Sequence, residues 1–264
     1  VADLDPIDRA RKAVTDRAEL PGMSLMEHLT ELRTRLIHSV AWVAVGVVVA
    51  YIFHTRLVSY IQRPLLDIGL KMTMTHPTDA LNFLIKTSVV CGIIIASPFV
   101  LYQVWLFISP GMYAHEKKYV VPFMGATVGL FLAGAWFGYR WVLPGAMTFL
   151  IQDIGKNFTH MITIEDYTQF FLSVILGLGI CFELPILMFF LSLFGIADGK
   201  FFLRQWRYAI LIIFLISAII CPLQDPFSMC LFASPMLGLY IVGVAVSWYV
   251  HPNRRKAKEA KTTA

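Results

Sequence analysis

Hydrophobic residues along the 264-residue chain gather into long blocks separated by short polar stretches. A helix needs roughly 20 apolar residues, at 1.5 Å each, to cross about 30 Å of hydrocarbon. The blocks predict spans at Leu36 to Ile61, Leu81 to Ile108, Val120 to Val142, Tyr167 to Phe194, Tyr208 to Cys221 and Phe227 to Tyr249. The fifth has about 14 residues before Pro222, so it crosses only where the bilayer is thin or where Trp206 and Tyr208 sit at the interface; a re-entrant segment is the alternative. Ahead of the first block, Ser24 to Arg35 sets Leu25, Leu29, Leu32 and Leu36 three and four residues apart, with charges mostly between them. That pattern predicts an amphipathic helix at the interface running directly into the first span.

The expected class is therefore an all-α polytopic membrane protein of six spans with bent helices and short fifth and sixth spans. Residues 1–23, with Asp3, Asp5, Arg9, Arg11 and Lys12, form a polar tail rather than a signal peptide or span. Residues 24–35 form the interfacial helix, 36–249 the membrane domain and 250–264 a basic tail. The connections around Gln62 to Ala80 and Leu143 to Asp166 are short enough to be interfacial caps holding a turn or helix.

Composition agrees with this reading: 58% hydrophobic and 15% charged residues exclude a single water-soluble domain. The net charge of +5 does not indicate nucleic acid, because Lys and Arg gather at the chain ends and in short loops between apolar blocks. Arg33 and Arg35, Lys117 and Lys118, the Lys200, Arg204 and Arg207 loop, and the tail from Arg254 mark one side as cytoplasmic, with both termini on it. The first outer loop is less clean, since Arg56, Arg63, Lys71 and Lys86 lie near it.

Catalysis finds little support. His28, His38, His54, His76, His115, His160 and His251 are scattered, and no C-x-x-C, H-E-x-x-H or phosphate-loop pattern occurs. No cofactor or metal is expected. Cys91 and Cys181 read as small buried hydrophobes, and a Cys221 to Cys230 pair is open. Gly125, Gly129, Gly134, Gly177 and Gly179 read as sites of close helix packing.

Three acids stand out. Glu183 sits about ten apolar or small positions from either flank of its block, where a charge is costly unless neutral, paired or facing water. Pro185 frees a carbonyl near it and permits a kink. Glu31, near Arg33, and Glu116, in the loop His115 to Lys118, put two carboxylates on the cytoplasmic face, a set suited to guanidinium groups because an Arg fork matches a carboxylate bidentately.

The motifs E-H-L-x-E-L-R at Glu27 to Arg33, S-P-F-V-L-Y-Q-V-W-x-F-I-S-P-G-M-Y-x-H-E-K-K at Ser97 to Lys118, F-E-L-P at Phe182 to Pro185, and the short spans around Pro222 to Ser228 occur in order. In these the chain resembles the TatC family, the receptor component of the twin-arginine protein translocase. The resemblance implies a non-enzymatic receptor for signal peptides with paired arginines. It acts in the bacterial cytoplasmic membrane with single-span TatA-like and TatB-like partners, self-associates in the receptor complex, and exports folded cargo with the proton motive force. It assigns Glu31, Glu116 and Arg33 to signal-peptide binding. Glu183, with Phe182 and Pro185 shaping its helix, is assigned to contact with signal peptide or partner on a concave face. Asp225 is the counterpart of an acid between the last two spans, although C-P-L-Q-D-P-F-S departs from the family's usual T-P-P-D-x-x-S. The alternatives are a proton-coupled transporter of small solutes, which also uses a buried acid and broken helices, and a structural scaffold.

Overall fold

The computed structural model describes residues 25–108, 120–157, 160–193, 195–221 and 225–250. It is an all-α polytopic membrane protein. Helix α1 (Leu25–Ile52) runs without a break from the amphipathic segment into the apolar block. Then come α2 (His54–Asp67), α3 (Asp79–Ile108) and α4 (Val120–Phe137), which continues through a π-helical turn at Gly138–Val142 into α5 (Leu143–Thr148). The last elements are α6 (Ile164–Cys181), α7 (Leu184–Leu193), α8 (Gly199–Arg204), α9 (Trp206–Ile220) and α10 (Pro226–Val250). Among the described residues, Met26–Ile52, Asp79–Ile108, Ile164–Leu193 and Pro226–Trp248 are long and apolar enough to cross a membrane, and Trp206–Ile220 is a shorter apolar helix.

Two boundaries and one length differ from the sequence expectation: the sixth span is not short, since α10 runs for 25 residues in an apolar stretch that continues well past Pro226. The first span does not reach Ile61: α1 ends at Ile52, and after Phe53 the chain starts the separate helix α2. The segment from His54 carries Thr55, Arg56, Gln62, Arg63 and Asp67 among its apolar residues, so it lies over the bundle rather than extending the span. The fourth block is two helices, α6 and α7, with Phe182 and Glu183 in the turn between them. Pro185 has no N–H to close on the Cys181 carbonyl, and the Glu183 N–H donates instead to Ile180 at 3.1 Å, tightening the last turn of α6.

Caps fix the remaining starts. Thr163 accepts from the Asp166 N–H at 3.0 Å while its hydroxyl donates to the Asp166 carboxylate at 2.7 Å, starting α6. Asp79, in the first turn of α3, accepts from the Thr75 and His76 N–H groups, both at 2.8 Å, and so orders the loop before it. The two long connections do hold helical caps, and a two-residue parallel bridge ties them: Thr73 N–H donates to Ile162 at 2.9 Å and Ile164 N–H to Thr73 at 3.1 Å.

The main core lies where α2, α5 and α6 meet, with Ile61, Leu65, Leu143, Tyr167, Phe170 and Val174 buried. Here a second proline is compensated. Pro64 in α2 leaves the Tyr60 carbonyl without its donor one turn on, and the Tyr139 hydroxyl donates to that carbonyl at 2.9 Å. The buried Tyr167 hydroxyl donates to the adjacent Ile61 carbonyl at 2.6 Å. Replacing Tyr167 with Phe removes this bond without opening a large cavity. We expect Tyr167→Phe to cost about 1 kcal/mol, read as a lower thermal midpoint of the detergent-purified protein with helix content unchanged. An unaltered midpoint would show that the bond does not hold α2 down.

A second core joins Trp105 of α3, Phe123 of α4 and Phe189 and Phe190 of α7; the Phe123 and Phe189 rings stack at 4.0 Å. Polar bonds cross between helices: Trp105 donates to Thr127 at 3.3 Å, Ser192 to the Ser247 carbonyl at 3.0 Å, and Ser217 to the Met229 carbonyl at 2.7 Å. Of the glycines read as packing sites, Gly134, Gly177 and Gly179 do press on Phe182, Ile220 and Phe131. Gly125 and Gly129 are exposed with open space about them, because their side of α4 meets no described helix. The tightest crossing is one the sequence reading passed over: α1 and α3 approach through Gly46 and Gly92. No disulfide joins Cys221 to Cys230.

Candidate functional site

Glu31, Arg35 and Gln103 form a polar cluster where α1 leans on α3. Glu31 and Arg35 are four residues apart and share a helix face, and the Arg35 Nη2 donates to Glu31 Oε1 at 3.3 Å. The Arg35 Nη1 donates to Gln103 Oε1 at 3.4 Å, joining α1 to α3. Glu31 is 15% exposed and its second oxygen, Oε2, has no partner; Arg35 Nε is likewise buried and unpaired. An open cleft of about 480 Å³ lies alongside, lined by Met26, Glu27, Thr30, Glu31, Thr34 and Arg35. At the level of the cleft the α1–α3 seam is closed by the His28 and Phe107 rings, 4.5 Å apart, and further along α1 by Trp42 on Phe99 at 4.2 Å.

The arrangement holds a buried, unpartnered carboxylate oxygen beside a half-buried guanidinium, next to a cleft at the end of a long apolar helix. A buried acceptor without a donor is costly, so a further donor to this oxygen would be favourable. Sequence reading placed Glu31 next to Arg33, but residues two apart point to different sides of a helix, and Arg33 is exposed without a described partner. Arg35 was missed although its i,i+4 spacing to Glu31 was legible. Gln103 was not legible, since 68 residues separate it from Arg35. Glu116 lies outside the described residues.

Phe182, Glu183 and Pro185 stand together at the α6–α7 turn. Phe182 seats on Gly134 of α4, with its ring 5.7 Å from that of Phe137. Glu183 is partly buried and its Oε1 has no partner. Among the described residues no hydrogen bond or ion pair joins this turn to the Glu31 cluster, which leaves two separate polar points. Asp225 is a helix cap: its Oδ2 accepts from the Ser228 N–H at 2.7 Å, starting α10, while Oδ1 is buried and unpaired. At the other end of α3, Lys86 pairs with Glu165 at 3.0 Å. Among the described residues no group of three or more His, Cys, Asp or Glu side chains is placed to hold a metal.

Comparison with known proteins places this architecture. Residues 27–235 match the family model of TatC, the Sec-independent protein translocase protein. The chain is 48% identical to the Sec-independent protein translocase protein TatC of Koribacter versatilis, over 98% of this chain and 96% of that one. It is 34% identical to the TatC protein of Deinococcus radiodurans over 87% of each. Its fold superposes on a crystal structure of the twin arginine translocase receptor TatC with a TM-score of 0.77 at 35% identity, covering 85% of this chain and 99% of that one. A second crystal structure of that receptor, in DDM, gives 0.78 at 36% identity over 84% and 99%. The chain belongs to the TatC family of Sec-independent protein translocase proteins.

Proposed function

We propose that this chain is the signal-peptide receptor and membrane core of a twin-arginine translocase, a non-catalytic component of the bacterial inner membrane. The observation that carries the reading is the unpartnered Glu31 oxygen, buried next to an open cleft that Glu31 helps to line, since an arginine fork is the donor that best fits a partly desolvated carboxylate. Glu31 and Glu116 take the two arginines of the signal, and Arg33 bounds the site on the same helix. Arg35 and Gln103 fix the Glu31 side chain before the signal arrives, so little rotamer freedom is lost on binding.

In this reading 1–23 is a polar tail, 24–35 an interfacial helix, 36–249 a six-span domain and 250–264 a basic tail, with both termini cytoplasmic. The bent α6–α7 element supports a concave face on which Glu183 meets the signal peptide or a partner helix, shaped by Phe182 and Pro185. Asp225, beyond capping α10, keeps one oxygen for a partner contact. TatA-like and TatB-like single-span proteins and further copies of this chain complete the machine, and the proton motive force drives it. Family membership lends no support to the solute-transporter reading.

Photocrosslinking from positions 31, 116 and 183 to a signal peptide tests the assignment. Contact at 31 and 116 is expected to be strong with Arg-Arg and lost with Lys-Lys, while contact at 183 tracks the apolar part of the peptide. Equal crosslinking of both peptides at 31 and 116 would remove those residues from recognition. For the deeper site, Glu183→Leu is expected to keep surface binding and lower export; unchanged export would reduce Glu183 to packing.

A further inference from the structure

Away from the Glu31 cluster, α9 and α10 splay to leave an apolar cleft of about 490 Å³ lined by Leu203, Trp206, Ile210, Tyr240, Ile241 and Val244 among others. The one phenol in that set is turned away from solvent chemistry: the Tyr240 hydroxyl donates to the Phe202 carbonyl at 2.8 Å, fixing α8 against α10. Trp206 forms part of this cleft and also of a polar recess with Arg204, Arg207 and Tyr208. Lys200, Arg204 and Arg207 are exposed, and none has an ion pair or hydrogen bond with a described residue. Asp198, the acid of this loop, is committed to capping α8 through the Phe201 N–H at 2.6 Å. Among the described residues, then, a cationic recess with no paired acid shares Trp206 as a wall with an apolar groove.

We infer that this groove holds one anionic phospholipid, its acyl chain between α9 and α10 and its phosphate on Arg204 and Arg207. Length selects this occupant over a spanning partner helix. The lining on α10 runs from Leu237 to Trp248, twelve residues whose ends lie about 16 Å apart at a helical rise. That matches one leaflet's share, about 15 Å, of the hydrocarbon, whereas a spanning helix would need twice as much. Trp206 and Trp248 flank the cationic end, the level at which tryptophan meets lipid headgroups. Guanidinium forks suit the phosphate, and Arg204 and Arg207 favour a lipid with net negative charge over a zwitterionic one. The topology proposed above makes this the cytoplasmic leaflet; the site itself does not depend on that reading.

Native mass spectrometry of the full chain in detergent, supplied with phosphatidylglycerol or phosphatidylcholine, tests the site. The wild type is expected to hold one phosphatidylglycerol with a preference of roughly thirtyfold over phosphatidylcholine. Arg204→Gln with Arg207→Gln brings the two lipids near parity, and Ile241→Trp, which fills the groove, removes the bound lipid of either kind. Arg140→Gln, an exposed arginine elsewhere, changes neither. Excess glycerol phosphate fails to displace the lipid, because the acyl chain is part of the recognition. The arginine pair is exposed, so its variant folds and remains informative even if Ile241→Trp does not. An undiminished phosphatidylglycerol preference in the arginine variant overturns the site. So does displacement by glycerol phosphate, or displacement of the lipid by a TatB-like single-span protein that occupies the groove instead.

Discussion

Glu31→Ala is expected to lower affinity for an Arg-Arg signal peptide by roughly tenfold to a hundredfold, measured by titration of the peptide onto the detergent-purified protein. A hydrogen bond to a charged group contributes about 1.5 to 3 kcal/mol, which converts to that range. Two effects act together. The carboxylate that receives the signal arginine is gone, and Arg35 loses its partner at 3.3 Å, so a cation held by Gln103 alone now faces the incoming arginines. Glu31→Gln keeps the shape and an acceptor oxygen but not the charge, and should fall between the two. Because Glu31 is 15% exposed, solvent screens its pairing less than it would a surface ion pair. Unchanged affinity in the alanine variant would mean that the Glu31–Arg35 pair is only a brace for α1.

The second large effect is at the seam that carries the cluster. A Cβ on Gly92 would lie 2.6 Å from the Val47 backbone nitrogen, and Gly46 faces the Gly92 carbonyl in the same way. Backbone cannot yield as a side-chain tip can, so Gly92→Leu must push α1 off α3, at a cost of roughly 1 to 3 kcal/mol or more. The readout is a disulfide between cysteines placed at positions 42 and 99, whose native rings stack at 4.2 Å. Crosslinking should be efficient in the parent and fall sharply with Gly92→Leu, and Arg-Arg affinity should fall with it, although Glu31 is intact. Gly125→Leu, where nothing lies within 4 Å, should leave both unchanged. Equal crosslinking in the Gly92 variant would show that the seam closes without the glycine.

These residues also show what the sequence could and could not carry. The long helices and the bend at Pro185 were readable because hydropathy and a missing N–H act locally. The stop at Ile52 left a trace in His54, Thr55 and Arg56, but what holds α2 as a separate helix did not: Tyr139 and Tyr167, far along the chain, bond to the Tyr60 and Ile61 carbonyls. Glycine spacing identified small residues but not their neighbours, so Gly125 and Gly129 were read as packing and Gly46 and Gly92 were passed over. In lipid an apolar helix face needs no protein partner, and composition alone does not tell a buried face from a lipid-facing one. The acids of the site were visible as charges out of place. Their preorganisation by Arg35 could be read from helical spacing, and that by Gln103 required the fold.

The central claim is that Glu31 meets a signal arginine, and a double-mutant cycle measures it most directly. Peptides with Arg-Arg and Lys-Lys are titrated onto wild type and Glu31→Gln in the same membranes. Direct pairing predicts that the penalty for lysine shrinks in the variant, with a coupling of about 1 kcal/mol or more between the two positions. If the peptide and protein substitutions add to within about 0.5 kcal/mol, Glu31 does not contact the arginines and the recognition site lies elsewhere.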